Sequence, residues 1–196
     1  MFNFNALKRN IFIFHGSYGH PQENWFPWLK GGLEKLGHRV FVPQFPVPQV
    51  QTPGGHKLSQ WLEAFEPYRK YVDKNTILIA HSRGCVFCYH LLPTFTNQIT
   101  ATFLVGHWIH YIWYNNSTND SFHSQPFEWG KIKQKSKTID IYQSTNDEIP
   151  VNHGKELAQK LDAKLHIFKD SGHFNTYTYP RFSQFPELLD DIKTKL

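Results

Sequence analysis

Apolar residues follow two habits along this chain. Short unbroken runs stop at glycine, serine, proline or histidine, and the stretches between them repeat their apolar positions every three or four residues. The runs cover residues 11–14, 39–42, 76–80, 101–105, 138–143 and 164–168. Runs without alternation suit strands buried on both faces. Trp25, Trp28, Leu29, Leu33 and Leu36 predict a helix within 24–36, entered near Pro27 and stopped by Gly37. Leu58, Trp61, Leu62, Phe65, Tyr68 and Val72 form a second stripe, which Pro67 should kink. Helices are also expected over 82–92, 127–132 and 151–161, with Phe185, Leu188, Leu189, Ile192 and Leu196 on one face of a last one. Strands alternating with helices predict an α/β fold, with about six mostly parallel strands covered by helices on both faces. No repeat or linker divides the chain, so residues 1–196 are expected to form one domain. One stretch breaks the rhythm. Residues from about 106 to 125 are aromatic and turn-rich, with Trp108, Tyr111, Trp113 and Tyr114, and a loop of that length is usually functional or mobile.

In parallel sheets the loops after the strands build the site. Here those loops carry His15-Gly16-Ser17, Ser82, Asp147 and His173. The segment Thr76-Ile77-Leu78-Ile79-Ala80-His81-Ser82-Arg83-Gly84-Cys85 is the most informative. It reads as strand, sharp turn and helix, and matches the G-x-S-x-G nucleophile elbow with Ala80 at the first glycine position. The residues two before and two after the serine must be small so that helix and strand can approach. The turn lifts the Ser82 hydroxyl above the sheet, and the N–H of Arg83 faces any negative oxygen developing there.

A serine hydroxyl is a weak nucleophile at neutral pH. It needs a base beside it, and the base needs an acid to fix its tautomer. Ser82, Asp147 and His173 occur in the order nucleophile, acid, histidine found in α/β-hydrolases, each just after a predicted strand. Glu148, Asp140 and Asp170 are rival acids. The second oxyanion donor is expected to be the backbone N–H of Ser17, with Tyr18 as fallback; the Ser17 side chain would then play no part.

Composition excludes more than it selects. The 196 residues are 40% hydrophobic and 19% charged, ordinary for a globule with a core. The net charge of +5 comes from scattered Lys and Arg, which disfavours a nucleic-acid partner. No stretch reaches the ~18 apolar residues of a membrane helix, and the N-terminal residues do not read as a signal peptide. A cytoplasmic location is expected. Two cysteines are too few for a disulfide scaffold.

The chain resembles the small serine hydrolases grouped with retinoblastoma-binding protein 9 and the bacterial YdeN-type proteins. The residues that carry the resemblance are His15-Gly16, Asn24-Trp25-Phe26-Pro27-Trp28-Leu29, Ala80-His81-Ser82-Arg83-Gly84-Cys85, the segment from Trp129 to Lys133, Ser144-Thr145-Asn146-Asp147 and Gly172-His173-Phe174. The resemblance implies a minimal α/β-hydrolase without a separate cap domain. It also implies Ser82 as nucleophile, Asp147 as acid, His173 as base, and hydrolysis of small esters or amides. There is no L-x-C-x-E motif at Cys85 or Cys88, so a retinoblastoma-type partner is not supported. Arg83 stands where such proteins more often carry a small or apolar residue.

The remaining signals are weaker. Arg83 could bind a substrate carboxylate, or simply pair with a nearby acid or face solvent. Cys85 and Cys88 are expected to pack rather than react. His107 and His110 lack a third ligand, so no metal is expected. Trp25 and Trp28 fit the core; Tyr18, Trp108 and Trp113 are candidates for a substrate pocket. The two N-x-[ST] triplets at Asn115 and Asn116 are without consequence in the absence of a signal peptide. The reading is a carboxylesterase-like enzyme acting on a small ester or amide, with no cofactor and no membrane or nucleic-acid partner. The alternative is a hydrolase-fold protein that binds without turnover.

Overall fold

A computed structural model describes residues 8–49, 55–109 and 121–196. Six strands form one parallel sheet: β1 (Asn10–Phe14), β2 (Arg39–Phe41), β3 (Thr76–His81), β4 (Ile99–Val105), β5 (Ser136–Ser144) and β6 (Lys164–Phe168). Their spatial order is β2-β1-β3-β4-β5-β6. Every pairing is parallel, with Phe14 beside Ala80 and His81 beside Val105. The runs of the four central strands, β1, β3, β4 and β5, are buried on both faces, whereas the edge strands β2 and β6 are largely half-buried or exposed. In β1, Phe12 and Phe14 face one layer while Ile11 and Ile13 face the other; in β3, Leu78 and Ala80 oppose Ile77 and Ile79 in the same way.

Among the described residues six α-helices cover the sheet: α1 (Phe26–Lys35), α2 (Leu58–Phe65), α3 (Arg83–Leu91), α4 (Trp129–Gln134), α5 (Val151–Leu161) and α6 (Pro186–Lys193). Helices α2, α3, α4 and α5 lie over the face that buries Trp61, Phe87, Ile132 and Leu157. Helices α1 and α6 cover the opposite face with Leu29, Leu33, Leu188 and Ile192. Pro27 stands in the first turn of α1, where its missing N–H loses no helical bond. Pro67 does more than kink the second stripe: α2 ends at Phe65 and a 3-10 helix runs over Glu66–Tyr71. The short fourth helix begins at Trp129, two residues later than expected from the sequence. Among the described residues no helix is long and apolar enough to cross a membrane. Tyr111, Trp113 and Tyr114 of the insert, with His110, Asn115 and Asn116, lie outside the described residues.

The point that positions the site is the join of β3 to α3. A Cβ placed on Gly84 would lie 2.8 Å from the carbonyl oxygens of both Phe14 and His15 and 3.0 Å from Cβ of Phe14. Helix α3 therefore crosses the end of β1 at backbone contact distance. Gly84→Ala gains about 1 kcal/mol of helix propensity but overlaps backbone atoms that cannot move aside, and overpacking of this kind costs about 1–3 kcal/mol. A net lower denaturation midpoint in urea is expected, with Gly84→Val worse than Gly84→Ala; equal midpoints for wild type and both variants would contradict the packing argument.

Candidate active site

Ser82 sits between β3 and α3 with φ 55° and ψ −121°. That backbone conformation strains a residue with a Cβ, by about 1–3 kcal/mol, and persists only where neighbours enforce it. Two hydrogen bonds do so here. The Ser82 N–H donates to the carbonyl of Val105 at 2.9 Å, and the Ser82 carbonyl accepts from the Cys85 N–H at 2.9 Å. Gly16 lies against the serine: a Cβ there would sit 2.8 Å from Ser82 Cβ and 3.3 Å from Oγ. The loop after β1 thus reaches the hydroxyl because residue 16 has no side chain.

Asp147 and His173 meet on the same rim. His173 Nδ1 lies 3.0 and 3.1 Å from the two Asp147 oxygens. A carboxylate only accepts, so Nδ1 carries the proton and donates, leaving Nε2 as the nitrogen with the lone pair. Asp147 Oδ1 also accepts the Ile149 N–H at 3.1 Å. The Asp147 side chain is fully buried, that of His173 15% exposed. A Cβ on Gly106 would stand 3.1 Å from the His173 ring and 3.7 Å from Asp147 Oδ2. The end of β4 therefore touches both groups: Val105 holds the serine backbone, and Gly106 faces the imidazole.

Of the rival acids, Asp140 is engaged elsewhere, its Oδ1 accepting from His166 Nε2 at 2.8 Å. Glu148 is close, and burial raises its carboxyl above the usual range. Among the described residues, Asp147, Glu148 and His173 are the group able to hold a metal ion, with ligand atoms within 4.8 Å of one another. Within that group Asp147 and His173 already satisfy each other.

Several residues that shape this rim stand in the resemblance motifs, but no role for their side chains follows from the sequence. His81 Nε2–H donates to the carbonyl of His173 at 2.8 Å, and Trp25 Nε1–H donates to that of Phe174 at 3.1 Å. The Asn146 amide oxygen accepts from Ser144 Oγ–H and the Gly172 N–H, and its nitrogen donates to the Tyr179 hydroxyl. These contacts hold the loop bearing His173, in which Gly172 and Phe174 both have positive φ. Only the turn character of Asn146 is visible in one dimension.

The pocket candidates separate. Tyr18 is 36% exposed, with its ring 4.7 Å from that of His56. Trp108 is 3% exposed, and its ring lies 5.4 Å from the Arg83 guanidinium. Its ring is therefore packed rather than solvent-facing. Trp113 lies outside the described residues. A hollow of about 690 Å³ lies between α4, α5 and the flanks of the insert, lined by Ile109, His123, Phe127, Trp129, Glu156 and Lys160 among others. None of Tyr18, Trp108 and the triad candidates lines it. Arg83 is 6% exposed, and its Nε–H donates to Ser17 Oγ at 2.8 Å. Cys85 and Cys88 are buried free thiols, both pushed up in pKa by desolvation.

Burial also keeps three imidazoles neutral. Desolvation is the largest cause for each, lowering His15 to about 4, His81 to about 3 and His107 to about 4 from an ordinary 6.5. Between those values and 6.5 the unfolded chain binds more protons than the folded one, so stability rises with pH across that interval. Acidification from pH 6.5 toward 4 is expected to lower Tm, each histidine contributing up to about 1.4 kcal/mol per pH unit. Thermal melts across that range check it, and a flat Tm would contradict the burial argument.

Comparison with known proteins agrees with this architecture. The family model described as serine hydrolase matches residues 11–193. Serine hydrolase RBBP9 of Rattus norvegicus is 30% identical over 174 residues, covering 88% of this chain and 86% of that protein. YdeN of Bacillus subtilis is 30% identical over 173 residues, covering 86% and 87%. The crystal structure of the latter superposes with a TM-score of 0.84 at 26% identity, over 96% of this chain and 98% of that one. Est1E of Butyrivibrio proteoclasticus, solved with ferulic acid bound, shares the fold at a TM-score of 0.70 and 14% identity, over 97% and 90% of the two chains. With the matched region running from β1 into α6, the chain belongs to the serine hydrolase family.

Proposed function

We propose that this protein hydrolyses small carboxylic esters through an acyl-enzyme on Ser82. The observation that carries the reading is the Asp147–His173 hydrogen bond at 3.0 Å on the rim where Ser82 sits in a strained turn. Its direction leaves the lone pair of His173 on Nε2, the nitrogen able to take a proton from a hydroxyl. In the proposed first step His173 accepts the Ser82 proton as Oγ attacks the carbonyl carbon, and the carbonyl electron pair moves onto oxygen. Asp147 stabilises the imidazolium that results. The N–H groups of Arg83 and Ser17 stabilise the oxyanion. Collapse of the tetrahedral intermediate breaks the bond to the alcohol, which takes its proton from His173. Water, deprotonated by the same histidine, then attacks the acyl-enzyme and releases the acid.

Esters are favoured over amides because an alkoxide leaves more readily than an amide anion and asks less of the acid. Solved neighbours that bear esterase names, Est1E and esterase PE8, fit that choice. The scheme draws on no cofactor.

Wild-type protein is expected to take one fluorophosphonate label on Ser82, read by peptide mass spectrometry, and to hydrolyse short p-nitrophenyl esters. Ser82→Ala should abolish both, and His173→Ala should lower kcat by about 10⁴-fold or more. A folded wild type with an inert Ser82 would leave the chain as a hydrolase-fold binding module. Gly106→Ala tests the rim separately. Its φ is +58° and the added Cβ would meet the His173 ring at 3.1 Å, so kcat should fall about 10²-fold with the fold retained by circular dichroism.

A further inference from the structure

We infer that the side chains of Arg83 and Ser17 brace the oxyanion site by holding together the two residues whose backbone N–H groups form it. The inference rests on the hydrolase reading above and goes beyond it. Here Arg83 Nε–H donates to Ser17 Oγ at 2.8 Å, spanning the gap from the first turn of α3 to the loop after β1. Arg83 opens α3 directly behind Ser82, so its N–H position is fixed by the elbow. Ser17 belongs to the loop after β1, which the Gly19 N–H closes on the Gly16 carbonyl at 3.3 Å and whose next residue, Tyr18, has φ 56°; the bond from Arg83 adds a hold on that loop from outside it.

The brace is itself held. The guanidinium carbon lies 4.9 Å from the ring centre of Phe122 and 5.4 Å from that of Trp108, within cation–π range. Trp108 and Phe122 flank the insert on either side. Phe122 is pinned by His90 Nε2–H of α3, which donates to its carbonyl at 2.7 Å. Its neighbour Ser121 accepts the Leu58 N–H through Oγ at 2.8 Å. At 6% exposure the arginine is sequestered in this wall. Its position in the chain, beside the nucleophile, suggests substrate recognition; its contacts instead make it a positioning residue, and give the Ser17 side chain a part that backbone reasoning denies it.

Isosteric variants separate the hydrogen bond from the bulk of the side chain. Gln places an N–H donor at the position of Arg Nε, whereas Met fills the same length without one. Ser17→Ala and Arg83→Met are each expected to lower kcat about 10- to 100-fold with KM little changed. The double variant should lose no more than the worse single one, because both remove the same contact. Arg83→Gln should recover most of the Arg83→Met loss. Affinity for an alkyl boronic acid, which forms a tetrahedral adduct on the serine, should fall in step with kcat/KM. Independent losses that multiply, a change confined to KM, or an Arg83→Gln variant as impaired as Arg83→Met would each overturn the brace. If Arg83→Met does not fold, Ser17→Ala decides alone: wild-type kcat and boronate affinity in that variant refute the proposal. A wild type that takes no fluorophosphonate label refutes the hydrolase reading instead, so the two failures are distinguishable.

Discussion

The crossing of α3 over the ends of β1 and β3 is the constraint on which the rest of this molecule depends. Gly84 brings the helix to backbone contact with Phe14 and His15, and the turn between strand and helix has no relaxed conformation available at that separation. Ser82 takes up the strain with φ 55°. A strained residue on a loose scaffold would relax; this one is held by Val105 on one side and Cys85 on the other. The surrounding core gives the hold its rigidity. The β1 and β3 side chains are buried on both faces, so a shift of either strand to relieve Ser82 would open cavities in two layers at once.

Around that fixed point the other elements are arranged by close approach and by hydrogen bonds to backbone. Gly16 lets the β1 loop touch the hydroxyl, and Gly106 lets the β4 end touch the imidazole. The His173 loop is tied to β3 by His81, to the start of α1 by Trp25 and to the loop after β5 by Asn146. Each tie uses a side chain to satisfy a main-chain carbonyl or N–H that a loop would otherwise leave to water. The result is a histidine whose backbone position is set by three separate elements. For the proton transfer proposed above that arrangement matters, because transfer over hydrogen-bond distance tolerates little displacement.

The aromatic wealth of the chain turns out to be structural in large part. Phe45 stacks on Trp61 at 4.4 Å, and Trp61 meets Phe87 and Phe122 edge-on. Tyr142 stacks on His166 at 4.4 Å and donates its hydroxyl proton to Asp191. These rings fill the space between sheet and helices where a larger protein would use more aliphatic layers. Trp108 is enclosed together with a buried cation, the Arg83 guanidinium lying 5.4 Å from its ring.

The strands, their parallel arrangement, the elbow and the order of serine, aspartate and histidine were legible from the amino acids alone. Each depends on local pattern: unbroken apolar runs, small residues at fixed offsets from Ser82, turn residues where strands stop. The replacement of the α2 extension by a 3-10 helix at Glu66 and the late start of α4 at Trp129 were not, because element ends are decided by what the last turn packs against. Nor could one dimension reveal that Arg83 turns inward to Ser17, that His81 supports His173 from 92 positions away in the chain, or that Asp140 answers to His166 rather than to the rim. Those outcomes are choices among partners. A polar side chain has several within reach of its own residue's position, and only the folded chain, by deciding which of them lose water together, selects one.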